Sequence, residues 1–271
     1  MEVQMLISID GRRPGAVANA SGSGKRSYVR LARSWSEVEA AQRLRWRVFA
    51  EEMGARIDSI RPGLDCDVFD HHCDHLLAFD TLSGKVIGTY RILLPRSADQ
   101  LGSLYAEREF DLTPLKPLRA RAAELGRSCI DPSWRGSAVL PQLWAALVTY
   151  ARDQGLSHLI GCASVPMADG GVFAANLFRT MQSSLVSSCL RVQPLNPLDV
   201  NRLATDGSVE APALIRGYLK IGARVCGTPS VDPDFNTADF LMLLDLNEIS
   251  ARFARRFDAA SRTDLRLDRA A

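Results

Sequence analysis

Residues 122–165 read AAELGRSCIDPSWRGSAVLPQLWAALVTYARDQGLSHLIGCASV, and no other stretch restricts the fold as tightly. The segment from Ala122 reads as a strand ended by Pro132, which cannot donate to a ladder. Val139, Leu143, Ala146, Leu147 and Tyr150 then recur at helical spacing, and Gly155 is placed to stop the helix. HLIGCASV, from His158, reads as a second buried strand. This succession calls for a sheet with helices packed on it.

The flanking segments extend the same pattern. YVRLA at Tyr28 alternates as a short strand. SWSEVEAAQRLRWRVFAEEMG reads as one helix, with Ser34 or Ser36 as N-cap and Gly54 as stop. Its apolar face runs through Val38, Ala41, Leu44, Arg45, Val48 and Phe49. His75–Phe79, the turn TLSGK and KVIGTYRILLP make an antiparallel hairpin. Leu101–Glu109 is expected to be helical, and LTPLKPL is broken by its two prolines. GGVFAANLFRTMQSSL reads as a helix, and LIRGYLKIGARVCG is open between helix and strand. DFLMLLDL is a strand and NEISARFARRF a closing helix. The order describes a mixed α/β, or α+β, domain around one central sheet. A single domain is expected over residues 28–257, between a flexible tail at 1–27 and a charged tail at 258–271.

Composition narrows the function classes. A formal charge of +2 over 271 residues gives no overall field for nucleic acid. MEVQMLISIDGRR lacks the cationic start and apolar run of a signal peptide, and no apolar window reaches membrane-spanning length. The six cysteines, at 66, 73, 129, 162, 189 and 226, form no CxxC pair and are expected to be buried thiols of a cytoplasmic protein.

Two stretches carry chemistry. DCDVFDHHCDHLLAF, from Asp65, gathers three of the four histidines. Zinc would need ligands converging tetrahedrally; Cys66, His71, His72, Cys73 and His75 offer atoms, but no second separated pair follows and no metal is expected. The other readings are a polar loop entering an edge strand and an acidic loop facing a cationic substrate. The second stretch is the strand bearing Glu124 and Arg127. Three apart, they face opposite sides of a regular strand, unless a bulge at Gly126 intervenes. The turn beyond, with Gly136 and Ser137, lets a helix start approach an anionic or carbonyl group.

RWRVFAEEMG, DVFD, DHLLAFD, GKVIGTYRILLP and AELGRSCIDPSWRG together resemble the acyl-transferring branch of the GNAT superfamily, in the order found in acyl-homoserine-lactone synthases. PALIRGYLKIGARVCGTPSVDPDFNTADFLMLLDL resembles the ornithine N-acyltransferases, which make lyso-ornithine lipid. The resemblance implies a sheet split at the strand before a long 137–154 helix, with antiparallel N-terminal strands and helices on both faces. It implies transfer of a 3-hydroxyacyl group from acyl carrier protein to the α-amine of L-ornithine. The superfamily's pyrophosphate signature is reduced to Arg135-Gly136-Ser137-Ala138, which suits a carrier-protein thioester better than coenzyme A and implies no bound cofactor. Acylation of another amino acid such as tyrosine, lactone-type synthesis, and a non-enzymatic membrane-active protein are the alternatives.

Carried onto this sequence, the resemblance implies Glu124 and Asp70 as catalytic carboxylates. Asp67, Arg91, Arg127, Arg47 and Phe49 would bind substrate. Ser128, Cys129, Ile130, Arg135, Gly136 and Ser137 would serve the carrier arm and the oxyanion. A fatty chain needs an apolar slot, for which Phe173, Leu177, Phe178, Met181 and the helix of Trp144 are candidates. Ile249, Phe253 and Phe257, beside Arg252, Arg255 and Arg256, could touch a membrane surface, meet the acidic carrier protein, or pack on the domain.

Overall fold

The computed structural model describes residues 26–205, 207–249 and 253. The expected C-terminal tail, the expected N-terminal tail except Arg26 and Ser27, and Phe257 with its arginines lie outside them, and Ser27 already belongs to the first strand. The chain opens with β1 (Ser27–Leu31) and α1 (Trp35–Trp46), which runs into a π-helical turn, Arg47–Glu52, and stops at Gly54 in the left-handed region. The helix therefore changes pitch at Arg47, a boundary that apolar spacing does not announce. Next come β2 (Asp74–Asp80) and β3 (Val86–Leu93), joined by a turn in which the Asp80 carboxylate accepts from the Leu82 and Ser83 amides.

The expected helix at 101–109 is displaced. The chain forms α2 (Pro95–Leu101), then a 3₁₀ turn at Tyr105–Arg108. Pro95 starts α2 and left-handed Gly102 ends it, the usual asymmetry of helix ends. After β4 (Phe110–Asp111) and a proline-bearing 3₁₀ segment come β5 (Ala122–Ile130), α3 (Val139–Asp153) and β6 (His158–Pro166). α3 begins at Val139, where the apolar spacing begins and two residues after the start that the resemblance implies, because Pro132–Trp134 form a 3₁₀ turn and Gly136 has φ 74°. The remaining elements are α4 (Val172–Thr180), β7 (Gln193–Pro194), α5 (Val200–Leu203), α6 (Ala213–Ile221), β8 (Arg224–Val225), β9 (Ser230–Asp232) and β10 (Thr237–Asp245). The open segment LIRGYLKIGARVCG resolves as both: helix until Gly222, at φ 119°, then strand.

The main sheet runs β1-β2-β3-β5-β6-β10-β8, with β9 also on β10. Every pairing is antiparallel except β5–β6. That pair holds only from Ala122–Glu124 to His158–Ile160. Beyond it β5 stays on β3 as far as Ile130, and β6 stays on β10 as far as Pro166, so the sheet opens as a wedge. At its closed end a Cβ on Gly161 would stand 2.7 Å from the Leu125 carbonyl oxygen. Only glycine permits that approach.

α3 packs on one face through Val139, Leu143, Leu147 and Val148, against Leu76, Ala78, Tyr90 and Ile92. α1 and the π-helical turn after it pack on the other through Ala41, Leu44, Val48 and Phe49, against Leu77, Phe79 and Cys129. Fully burying each valine, leucine, isoleucine or phenylalanine among them contributes about 1.5–3 kcal/mol. Ile249 is buried and Phe253 packs on the same cluster as α3, so these two residues face the domain. Cys189 is exposed, against expectation, because it sits in a surface 3₁₀ turn; Cys129, Cys162 and Cys226 are buried.

Candidate active site

A bulge in β5 organises the site. Thr89 pairs with Cys129 and Arg91 with Gly126, leaving Arg127 and Ser128 opposite Tyr90 alone. Arg127 takes φ 51°, a left-handed conformation that costs a non-glycine residue about 1–3 kcal/mol. The extra residue places Arg127 on the same face as Glu124, and Ser128 on the opposite face.

On the Arg127 face three guanidinium groups meet three aspartates. Arg45 reaches Asp65 and Asp70 at 2.8 Å each. Arg91 reaches Asp67 at 2.7 Å and Asp70 at 3.2 Å. Arg127 reaches Asp65 at 2.8 Å and Asp67 at 3.3 Å. The six formal charges cancel. Burial opposes ionisation of Asp67 and Asp70, but the neighbouring arginines outweigh it and hold both below the usual carboxylate range. Burial likewise opposes the charge on Arg91 and Arg127, and the aspartates keep both protonated.

Asp70 is enclosed. Each of its oxygens accepts two or more hydrogen bonds, from Arg45, Arg91, Gln42 or the Asp67 amide. It therefore orients arginines and has no lone pair to offer a substrate. Arg47 does not join the cluster: its side chain is half exposed and lies 3.5 Å from Asp131. The place it was expected to fill is taken by Arg45, one helical half-turn earlier and fully buried. Phe49 is core, edge-on to Phe235.

Glu124 differs from Asp70. Its two oxygens accept one bond each, from the Tyr105 amide at 2.6 Å and the Ala106 amide at 2.7 Å. Burial raises its pKa, and the two amides offset only part of that. With Arg91, Tyr105, Phe69, Cys73 and Gly126 it lines a small pocket. The Arg127 guanidinium lies 5.3 Å over the Tyr105 ring, and its Nη1 has no acceptor among the described residues.

The histidines go separate ways. His71 stacks on Trp35 at 4.3 Å, and His75 Nε2 pairs with the Asp70 carbonyl at 2.9 Å. Burial lowers the His75 pKa and keeps the ring neutral, and burial pushes the Cys73 thiol up to about 12. Among the described residues no metal-binding geometry forms here.

Behind the wedge, on the α3 face, lies an apolar cavity of about 740 Å³, open solvent at its mouth included. Leu125, Gly126 and Ser128 of β5, Ile160 to Cys162 of β6, and Trp144, Leu147 and Val148 of α3 line it. Tyr90, Tyr218 and Trp144 share hydrogen bonds at its wall. Gly126 lines both this cavity and the Glu124 pocket. Of the expected slot elements only the helix of Trp144 is present. Leu177 and Met181 are buried in another cluster, against which Phe173 and Phe178 pack, because α4 covers the β6–β10 end of the sheet.

Of the residues expected at the carrier arm, only Ser128 reaches the cavity. Cys129 and Ile130 are core on opposite faces. Arg135 is spent on Glu52, at 2.5 and 2.7 Å, and the Ser137 hydroxyl donates to the Trp134 carbonyl.

An acetyltransferase (GNAT) domain model matches residues 44–145. The chain is 34% identical over 248 residues to the L-ornithine N(alpha)-acyltransferase of Brucella abortus (strain 2308), covering 85% of this chain and 88% of that protein. It is 35% identical over 247 residues to that of Agrobacterium fabrum, covering 83% of each. The chain belongs to the L-ornithine N(alpha)-acyltransferase family. The family's fold in this chain matches the CoA-dependent acyl-homoserine lactone synthase BjaI, solved with SAM and isopentyl-CoA, at a TM-score of 0.53 and 15% identity over 88% of this chain and 90% of that one. TofI, solved with an inhibitor and MTA, matches at 0.51 and 19%, over 86% and 96%. This member of the ornithine acyltransferase family thus has the expected split GNAT sheet and is an acyltransferase.

Proposed function

We propose that the chain moves a fatty acyl group from a thioester to the α-amine of L-ornithine, the reaction named for its relatives. One observation carries this reading: Gly126 stands between an apolar cavity on one face of the sheet and a charged pocket on the other. The first has the apolar lining that a fatty chain needs and the second the charged lining that a zwitterionic amino acid needs, on either side of the wedge.

The neutral amine attacks the acyl carbon, the carbon–sulfur bond breaks, and the sulfur leaves as a thiolate. The nitrogen must shed a proton. Glu124, with a raised pKa and a lone pair left on each oxygen, takes it directly or through a water. Arg127 offers its free Nη1 to the α-carboxylate, and Arg91 holds Asp67 beside it. Ser128, at the bulge, presents backbone to the developing oxyanion. The acyl donor in this reading is an acyl carrier protein, whose arm lacks the nucleotide that an intact diphosphate loop would grip. A lipid product places the enzyme beside a membrane, although no described helix is long and apolar enough to cross one.

The test incubates purified protein with 3-hydroxyacyl carrier protein and single amino acids while free thiol is measured. Release with L-ornithine, giving a product acylated on the α-nitrogen, supports the reading. Release with tyrosine alone, or with none, overturns it.

A further inference from the structure

The apolar cavity has hydroxyls in its wall. Among its lining residues Tyr90, Tyr218 and Ser128 carry one each. The two phenols bond to each other at 2.7 Å, and Trp144 Nε1 donates to the Tyr90 oxygen at 3.2 Å. β3, α6 and α3 supply one member each of this trio. Gly217 lets α6 come so close, since a Cβ there would stand 2.5 Å from Trp144 Cη2. Aromatic side chains with half-buried polar tips commonly satisfy one another in this way, and the trio is a finished piece of wall.

Ser128 is different. It is 8% exposed, yet its hydroxyl makes no hydrogen bond to any described residue. It stands on the α3 face of β5, because Cys129 after it packs with α1 and Ile130 returns to the α3 side. It is the second residue of the bulge opposite Tyr90, and it lines the cavity together with Gly126, two residues earlier. The arginines, aspartates and Glu124 lie on the other face, so the amino-acid pocket leaves this hydroxyl unused. A hydroxyl closed off from water without a partner is costly, and a ligand that bonds to it removes that cost.

We infer, on the acyltransferase reading above, that the Ser128 hydroxyl binds an oxygen on the third carbon of the acyl chain and so selects a hydroxylated donor over a plain one. In that reading the Ser128 backbone already faces the developing oxyanion at the acyl carbon. The backbone nitrogen and the Oγ of one serine are separated by two carbons. The carbonyl oxygen and a hydroxyl on the third carbon are separated by three. The two pairs match side by side, so one residue holds the first oxygen through its N–H and the second through its hydroxyl. A hydroxyl two carbons further along the chain falls instead among apolar side chains such as Leu147 and Val148. A plain chain dries the cavity and leaves the serine hydroxyl unmatched, and the discrimination arises there.

The test measures kcat/KM for L-ornithine acylation with three carrier-protein thioesters of equal chain length, one unsubstituted, one 3-hydroxylated and one 5-hydroxylated. Wild type should favour the 3-hydroxy donor over the other two by roughly tenfold, the worth of one well-placed hydrogen bond. Ser128→Ala keeps the backbone and removes one oxygen, and it should bring the three donors close to parity. A merely structural role would lower all three together and keep their ratios. Tyr218→Phe, which opens the phenol pair, should keep the preference. A wild type that treats the three donors alike overturns the inference. So does a preference that survives in Ser128→Ala, or one that vanishes in Tyr218→Phe. If wild type transfers none of the three chains to ornithine, the parent reading fails instead.

Discussion

Glu124 and Arg127 share one face of the sheet although they lie three residues apart on one strand. The bulge opposite Tyr90, with Arg127 at φ 51°, makes this possible. It places Ser128 at the wall of the apolar cavity while Arg127 stays with the aspartates. Carboxylate, guanidinium and apolar cavity are thus brought together by a single extra residue.

Replacing Glu124 by Gln should lower kcat by roughly 10²–10⁴-fold, the usual contribution of a positioned base. The amide would also point an NH₂ at the Tyr105 or Ala106 N–H, costing about 1–3 kcal/mol of stability. The pH profile separates the two effects. Wild-type kcat/KM should rise through a pKa above the ordinary glutamate range, and that limb should be missing from the residual activity of the variant.

Asp70→Asn should unfold the cluster before it affects chemistry. Arg45 is completely buried and would keep its charge with half of its partners gone. The expected loss is about 3–5 kcal/mol, read as a lower urea midpoint at constant slope.

Acid should act in two stages. The His75 pKa is lowered by burial, so the stability it contributes is complete above about pH 6.5 and is lost as pH falls below that value. Asp67 and Asp70 are also lowered, so their contribution is present above about pH 4 and is lost below it. The melting temperature should decline gently below pH 6.5 and steeply below pH 4. A flat profile down to pH 3 would contradict this.

Gly217→Ala tests the acyl slot. An added Cβ would stand 2.5 Å from Trp144 Cη2, and Trp144 also stacks on Tyr218 at the cavity wall. The indole must move into the cavity, so preference should shift to shorter donors, each methylene being worth roughly 1–3 kcal/mol. Trp144→Ala should shift it to longer ones. The KM for ornithine should not change in either variant.

Much of this was legible in the sequence where one rule dominates locally. The strand, helix and strand of 122–165 follow from apolar spacing, and the three-residue spacing of Glu124 and Arg127 left a bulge as the one way to bring them to the same face. The bulge centres one residue later than Gly126, because the arginine's ion pairs support a left-handed backbone that a glycine would adopt freely. Arg45 was visible only as an arginine on an apolar helix face. That anomaly was the signal that it is buried and paired, whereas Arg47 faces outward. Pro95 and Gly102 announced α2 more plainly than its weak apolar pattern did. The slot could not be read, because its walls come from β3, β5, β6, α3, α6 and β10, and no local pattern records which helical face borders a gap.

The most direct measurement is a crystal structure with L-ornithine and a donor whose thioester is replaced by an unreactive amide. The account predicts the acyl chain in the cavity lined by Leu125, Trp144 and Gly161, the carbonyl carbon beside Gly126, and the α-amine on the Glu124 side. An acyl chain bound elsewhere, or ornithine on the α3 face of the sheet, would contradict it.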